Sequence, residues 1–291
     1  MTKHILFITV VIAILFYLGN SASFSFLSSY LSPDSNPLFY PANTSAGKNT
    51  SRNWSGYAAV NGTFTSINGT WTVPYIKSTN SFGADATWIG IGGVSSEDLI
   101  QAGTQDIVNR NGQVSYDAFI EILPNTPQPV ALTVHGGDSI SVSVAQQSQE
   151  QWLISFQDNT NGQTAQVSES YNSSLSSAEW IEESPSGIQR VMPLDNFGEI
   201  QFTNGSAIKN GQSVTIANAN AYGITMVDNF GRTLAATSGL NNLGNGFSVN
   251  RTNPSTADVS SVSRPYYLRI VHRRMGYIHR LTPKQYGYVS Y

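Results

Sequence analysis

The chain has 291 residues, enough for one large or two small domains, and 40% of them are hydrophobic and 11% aromatic, which supplies a sizeable core. Only 11% are charged, against about 25% in an average soluble domain, and a net charge of −3 argues against a nucleic-acid partner. The absence of cysteine excludes disulfides, thiolate catalysis and zinc–thiolate sites.

The segment that follows Lys3 and His4, residues 5–19, is an unbroken apolar run, followed by Ser21, Ala22 and Ser23. This is the outline of a secretory signal over residues 1–22. As a helix the run would span roughly 22 Å, short of the ~30 Å hydrocarbon core, but no charge appears between Ile5 and Pro33 and an uncleaved N-terminal membrane anchor is the other reading. Both readings predict export, either secreted or held on the outer face of the membrane. Eight N-x-[ST] sequons, at Asn43, Asn49, Asn53, Asn61, Asn68, Asn172, Asn204 and Asn250, fit exposed loops of an exported chain. Residues 23–51, rich in Ser, Pro and Asn, read as a stalk or short pro-segment.

From residue 52 to about 252 the pattern is strand after strand. In GDSISVSV, Ile140, Val142 and Val144 fall on one face and Ser139, Ser141 and Ser143 on the other, and Trp152, Ile154 and Phe156 repeat the alternation. Asn-Gly pairs at 61–62, 68–69, 111–112, 161–162, 204–205, 210–211 and 245–246 offer residues that tolerate the positive φ of tight hairpins. The reading is an all-β antiparallel sandwich or barrel. Residues 253–291 differ: six of the fifteen bases fall there among tyrosines, forming a basic extension.

Three segments carry polar residues inside strand-like patterns: TWIGIGG with LIQAG (87–103), SYDAFIEILP (115–124) and SAEWIEESP (177–185). In the second, Asp117, Phe119 and Glu121 share a face; in the third, Glu179, Ile181 and Glu183 lie opposite Trp180 and Glu182. Periodicity by itself makes any of these acids a solvated strand residue. His135, beside Gly136 and Gly137, reads as a turn, and no G-x-S-x-G elbow accompanies it.

Taken in order with NWSGYAA (53–59), FGEIQFTN (197–204) and ITMVDNFGRTLA (224–235), these segments resemble the glutamic peptidases, the eqolisins, over about two-thirds of the chain. The resemblance implies a sandwich of two packed antiparallel sheets of the concanavalin A-like, jelly-roll type, with the site on a concave sheet face. It implies an acid endopeptidase that acts on polypeptides as a monomer without metal or cofactor. Motif matching puts the catalytic glutamine on Gln101 and the catalytic glutamate on Glu183, with Trp54, Trp88, Asp117 and Glu121 as supporting and substrate-binding residues. An unperturbed Glu titrating near pH ~4.3 makes an acidic optimum natural. Gly92 stands where fungal members carry an aspartate, so one supporting carboxylate is absent. The rival readings are a carbohydrate-binding surface module in which Trp54, Trp71 and Trp88 stack on sugar rings, a glycoside hydrolase using a pair such as Asp117 and Glu183, and an inactive surface homologue.

Overall fold

A computed structural model describes residues 39–40, 49–76, 82–94, 96–185 and 191–252. The apolar N-terminal segment and the basic extension 253–291 lie outside these residues. Among the described residues no helix is long and apolar enough to cross a membrane.

Among the described residues every regular element is a strand: β1 (Phe39–Tyr40), β2 (Asn49–Ser51), β3 (Trp54–Ala59), β4 (Phe64–Thr72), β5 (Gly83–Gly92), β6 (Leu99–Val108), β7 (Val114–Ile122), β8 (Gln128–Pro129), β9 (Ser139–Ser148), β10 (Gln151–Asp158), β11 (Thr164–Ser170), β12 (Ala178–Glu183), β13 (Glu199–Lys209), β14 (Gln212–Thr215), β15 (Tyr222–Val227), β16 (Thr233–Thr237) and β17 (Phe247–Arg251). One ladder runs β11–β10–β9–β4–β13–β17–β16–β15–β3–β12–β5–β6–β7–β8, with antiparallel neighbours throughout. The ladder folds back so that β4 and β9 lie against β5 and β6. Two tryptophans stitch the layers: Trp71 Nε1 donates to Thr104 Oγ1 at 2.8 Å, and Trp180 Nε1 to the Asn68 carbonyl at 2.8 Å. This is the expected all-β sandwich.

The core between the layers follows from the alternation. Ile140, Val142 and Val144 of β9 are buried with Ile67 and Trp71 of β4, facing Ile89, Ile91, Ile100, Ala102 and Ile120, each large apolar side chain contributing about 1.5–3 kcal/mol on burial. The Asn210–Gly211 pair makes the expected tight turn between β13 and β14, with φ of 52° and 76°. Asn68–Gly69 does not turn: it lies inside β4, where Gly69 lets Ile89 and Trp180 close over the strand.

In β3, β5, β6 and β12 every residue is buried. Their second face carries its own apolar cluster, Trp54, Ala58, Ala86, Trp88, Leu99, Phe119, Leu123, Ile181 and Ile224. Polar side chains on these strands are therefore held in low dielectric whichever way they point.

Candidate active site

Register places the polar residues of the second face. On β12, Glu183 pairs with Trp54 of β3 and Ala86 of β5, and Glu179 with Ala58 and Gly90. Across β5, Gly90 pairs with Gln101 of β6, and Gln101 with Glu121 of β7. Trp54, Trp88, Gln101, Asp117, Glu121, Glu179 and Glu183 thus lie on one face, while Glu182 points to the other, as the strand phase predicts. The β6 strand can cross β5 this closely because Gly103 stands opposite Trp88: a Cβ there would sit 2.1 Å from the Thr87 carbonyl oxygen and 2.6 Å from Trp88 Cβ.

Glu183 is held by aromatic and amide donors. Trp88 Nε1 donates to its Oε2 at 2.8 Å and Asn53 Nδ2 to its Oε1 at 3.0 Å. Trp54 packs edge-on against Trp88, with ring centroids 5.0 Å apart. Burial pushes the Glu183 carboxyl up to about 7, against the hydrogen bonds from Trp88, Asn53 and Trp54, which favour its charged form. Gln101 and Glu121 meet side by side, Nε2 to Oε2 at 2.5 Å, and Gln101 Oε1 is buried without a partner among the described residues. Burial, and next the charge of Glu183, push Glu121 up to about 8 despite the bond from Gln101. When two carboxyls sense each other, ionisation of one holds the proton on the other to higher pH. Chemically the face offers a base, a neutral acid and an amide donor.

Asp117 stands apart from this group. It pairs with Gln105, four residues along β7 from Glu121, with its Oδ2 lacking a partner among the described residues and its carboxyl raised by burial. The acids Glu179 and Glu182 are 0% exposed, so the solvated-strand expectation fails for both; each is raised well above its usual value, by burial first.

Gly92 lies against Asp98. Its φ is +93°, and a Cβ there would fall 2.5 Å from the Asp98 carbonyl oxygen and 2.9 Å from Asp98 Oδ2. Asp98 accepts from Ser173 Oγ and the Ser174 backbone N–H. Burial works to raise its carboxyl, but hydrogen bonds from Ser96, Ser174 and Ser173 outweigh burial and hold it below the usual value.

Asn53 is the site residue that sequence reasoning missed. Its N-W-S context reads as a sequon, yet the side chain is 2% exposed and its amide is spent on Glu183. Its neighbour Trp54, already singled out, was the available signal. Of the other sequons, Asn61, Asn172, Asn204 and Asn250 are exposed, Asn49 and Asn68 are half-buried in strands, and Asn43 lies outside the described residues. The sugar-stacking role for Trp54, Trp71 and Trp88 is lost for the same reason: all three are at most 1% exposed. His135 is in a turn, its backbone N–H and ring Nδ1 both against Asp138 Oδ2.

Among the described residues one group of carboxylates has the spacing of a metal site. Asp85, Asp106 and Asp195 bring three oxygens within 4.8 Å of one another. They are buried on the core side of β5 and β6, the face away from Glu183, and Asp85 and Asp106 are register partners.

The pattern of the Peptidase A4 family matches residues 52–244. The chain belongs to this family. It is 26% identical to aspergillopepsin-2 of Aspergillus niger over 224 residues, covering 65% of this chain and 79% of that protein. To scytalidopepsin B of Scytalidium lignicola it is 29% identical over 179 residues, covering 57% and 67%. Among solved structures, scytalido-glutamic peptidase with a peptide-based transition-state analogue superposes with a TM-score of 0.59 at 25% identity, over 69% of this chain and 98% of that one. Aspergilloglutamic peptidase from Aspergillus niger gives 0.53 at 27% identity, over 58% and 99%. The glutamic peptidase resemblance and the sandwich it implied therefore hold for this Peptidase A4 chain.

Proposed function

We propose that this chain is an exported endopeptidase that hydrolyses peptide bonds by direct attack of water, with Glu183 as base and Gln101 as amide donor to the developing oxyanion. The observation that carries the reading is Glu183 itself: a buried carboxyl aimed by Trp88 and Asn53 on the same sheet face as a glutamine with one unpartnered end. Ionised Glu183 takes a proton from water as the oxygen attacks the carbonyl carbon. The same proton then passes to the leaving amine, so one group serves both steps. Gln101 is uncharged at every pH, and an N–H aimed at the carbonyl oxygen stabilises the negative charge that grows there.

The environment of Glu183 moves the working range. A Glu titrating near pH ~4.3 would keep its charge down to weakly acidic pH, whereas one held at about 7 is charged only as neutrality is approached. The acid limb of kcat/KM therefore lies near neutrality, and cleavage weakens as pH falls below it.

The test is hydrolysis of a quenched peptide by the full chain between pH 3 and 9. Glu183→Gln keeps the shape and removes the base, so its rate falls to background at every pH; a cleaving Glu183→Gln variant would overturn the assignment. Gln101→Ala keeps the base and loses a donor, and its turnover falls on the order of 10²- to 10³-fold.

A further inference from the structure

We propose that Glu121 is a positioning residue that works in its neutral form: its O–H donates to Gln101 Oε1 and so turns the amide N–H₂ of Gln101 into the site. The inference rests on the peptidase reading above and deepens it. With the amide nitrogen toward Glu121, the contact is 2.5 Å, shorter than the ~2.7–3.2 Å of N–H···O bonds, and Gln101 Oε1 is left buried without a partner among the described residues. An acceptor at this free end is the wrong group for a substrate oxygen that becomes negative. The oxygen and nitrogen ends of a glutamine amide are nearly the same shape, and exchanging them alters both facts. The 2.5 Å contact becomes an O–H···O bond, for which ~2.5–3.0 Å is the ordinary range. The free end of Gln101 becomes an N–H₂ donor.

The proton that this arrangement needs is one the surroundings keep on Glu121. The side chain is 8% exposed and feels the charge of Glu183 on the same sheet face. The other acids on the face are Asp117, on its own strand, and Glu179, on β12 in the row of Gly90 and Gln101. The register rows of this face, from β3 through β7, hold no Lys or Arg to stabilise a second negative charge. Ionisation goes first to Glu183, which has three donors, while Glu121 keeps its proton until about 8. Once Glu121 releases that proton to solvent, its carboxylate can only accept. The Gln101 amide then turns its N–H toward Glu121 and withdraws the donor from the substrate. Glu183 thus sets the acid limb of activity and Glu121 the alkaline one.

The experiment compares wild type, Glu121→Gln and Glu121→Ala in kcat and KM on one quenched peptide across pH 4 to 10, after confirming equal melting temperatures. Wild type should lose kcat above pH ~8, where the acidic proton departs. A glutamine at 121 offers a donor that does not titrate, so Glu121→Gln should lack this alkaline limb when scaled to its own maximum. Glu121→Ala leaves Gln101 unaimed, and kcat should fall about tenfold or more with little change in KM. The same alkaline limb in Glu121→Gln, or full kcat in Glu121→Ala, would overturn the proposal. If wild type cleaves no peptide, the peptidase reading has failed and infrared spectroscopy still decides the proton. A carboxylic-acid C=O band present at pH 6, lost by pH 9 and missing from Glu121→Gln supports the arrangement, and no such band refutes it.

Discussion

Trp88 reaches Glu183 diagonally: its register partner on β12 is Ile181, while Glu183 pairs with Ala86, yet the indole N–H meets Glu183 Oε2 at 2.8 Å. The small residue at 86 leaves the lane open for the ring, and Trp54 closes against it from the edge. The carboxylate is thereby aimed by a side chain with no freedom to leave.

Replacing Trp88 with Phe keeps most of the packing and deletes the donor. A hydrogen bond to a charged group is worth about 1.5–3 kcal/mol, or about one to two pH units in proton affinity. Because the bond favours charged Glu183, its loss raises the proton affinity. The acid limb of kcat/KM should move to higher pH by that amount, which a pH–rate profile reads directly; an unmoved limb would mean that Trp88 only packs.

Asn53→Ala should act in the same direction and more weakly, since the bond it removes is longer, 3.0 Å against 2.8 Å. Asn53 should also be free of glycan in active protein, whatever the host, because the nitrogen a sugar would occupy faces Glu183. Peptide mapping by mass spectrometry checks this, and an active, sugar-bearing Asn53 would contradict the site geometry.

Stability should fall as pH rises. Burial, then neighbouring acids, raise Asp85 and Asp106 well above the usual carboxyl range, and Glu182, bonded to Thr87, is raised by burial and by Asp195. Tyr116 and Arg251 are the other titratable groups that sense the cluster, and the Arg251 N–H groups go to backbone carbonyls, including those of Asp195 and Leu234. A group that binds its proton more tightly when folded contributes full stability below its unfolded value of ~3.9–4.3 and loses it as pH climbs toward the folded value. Melting temperature should therefore drop from pH 4 upward, by about 2–4 °C for each kcal/mol lost. Asp85→Asn removes one of these protons from the balance and should flatten the drop, with a higher melting point than wild type at pH 7. Identical slopes for the two proteins would sink the explanation.

Gly103→Ala should cost more than a surface change. The added methyl has no room beside the Thr87 carbonyl and Trp88, and overpacking of this kind costs about 1–3 kcal/mol. Since Trp88 must shift, kcat should fall along with the melting temperature; a variant that melts lower but cleaves normally would separate β5–β6 packing from the site.

Much of this architecture was legible in the residues. Alternation in β9 and β10 and the Asn210–Gly211 turn gave strands and hairpins, because half-buried strands write their orientation at period two. Strand phase also separated Glu182 from Glu183. What one-dimensional pattern cannot carry is register between distant strands. Gln101 and Glu121 become partners only through the β6–β7 pairing, and Asp85, Asp106 and Asp195 converge only after the ladder has folded. The burial of Glu179 and Glu182 was hidden because acids on strands are ordinarily wet. Asn53 was hidden because its three-residue context has a second meaning.

Strand β12 is inserted between β3 and β5, two strands made more than eighty residues earlier. The nascent chain reaches Trp88, Gln101 and Glu121 well before it reaches Glu183, and until β12 slots in, the sheet has a gap where Glu183 belongs. Such a long-range pairing is late and slow to form. A chain stalled before residue 178 therefore holds Gln101 and Trp88 but lacks Glu183, and because β15 pairs with β3, the sheet beside Glu183 closes only when residues 222–227 have also been made.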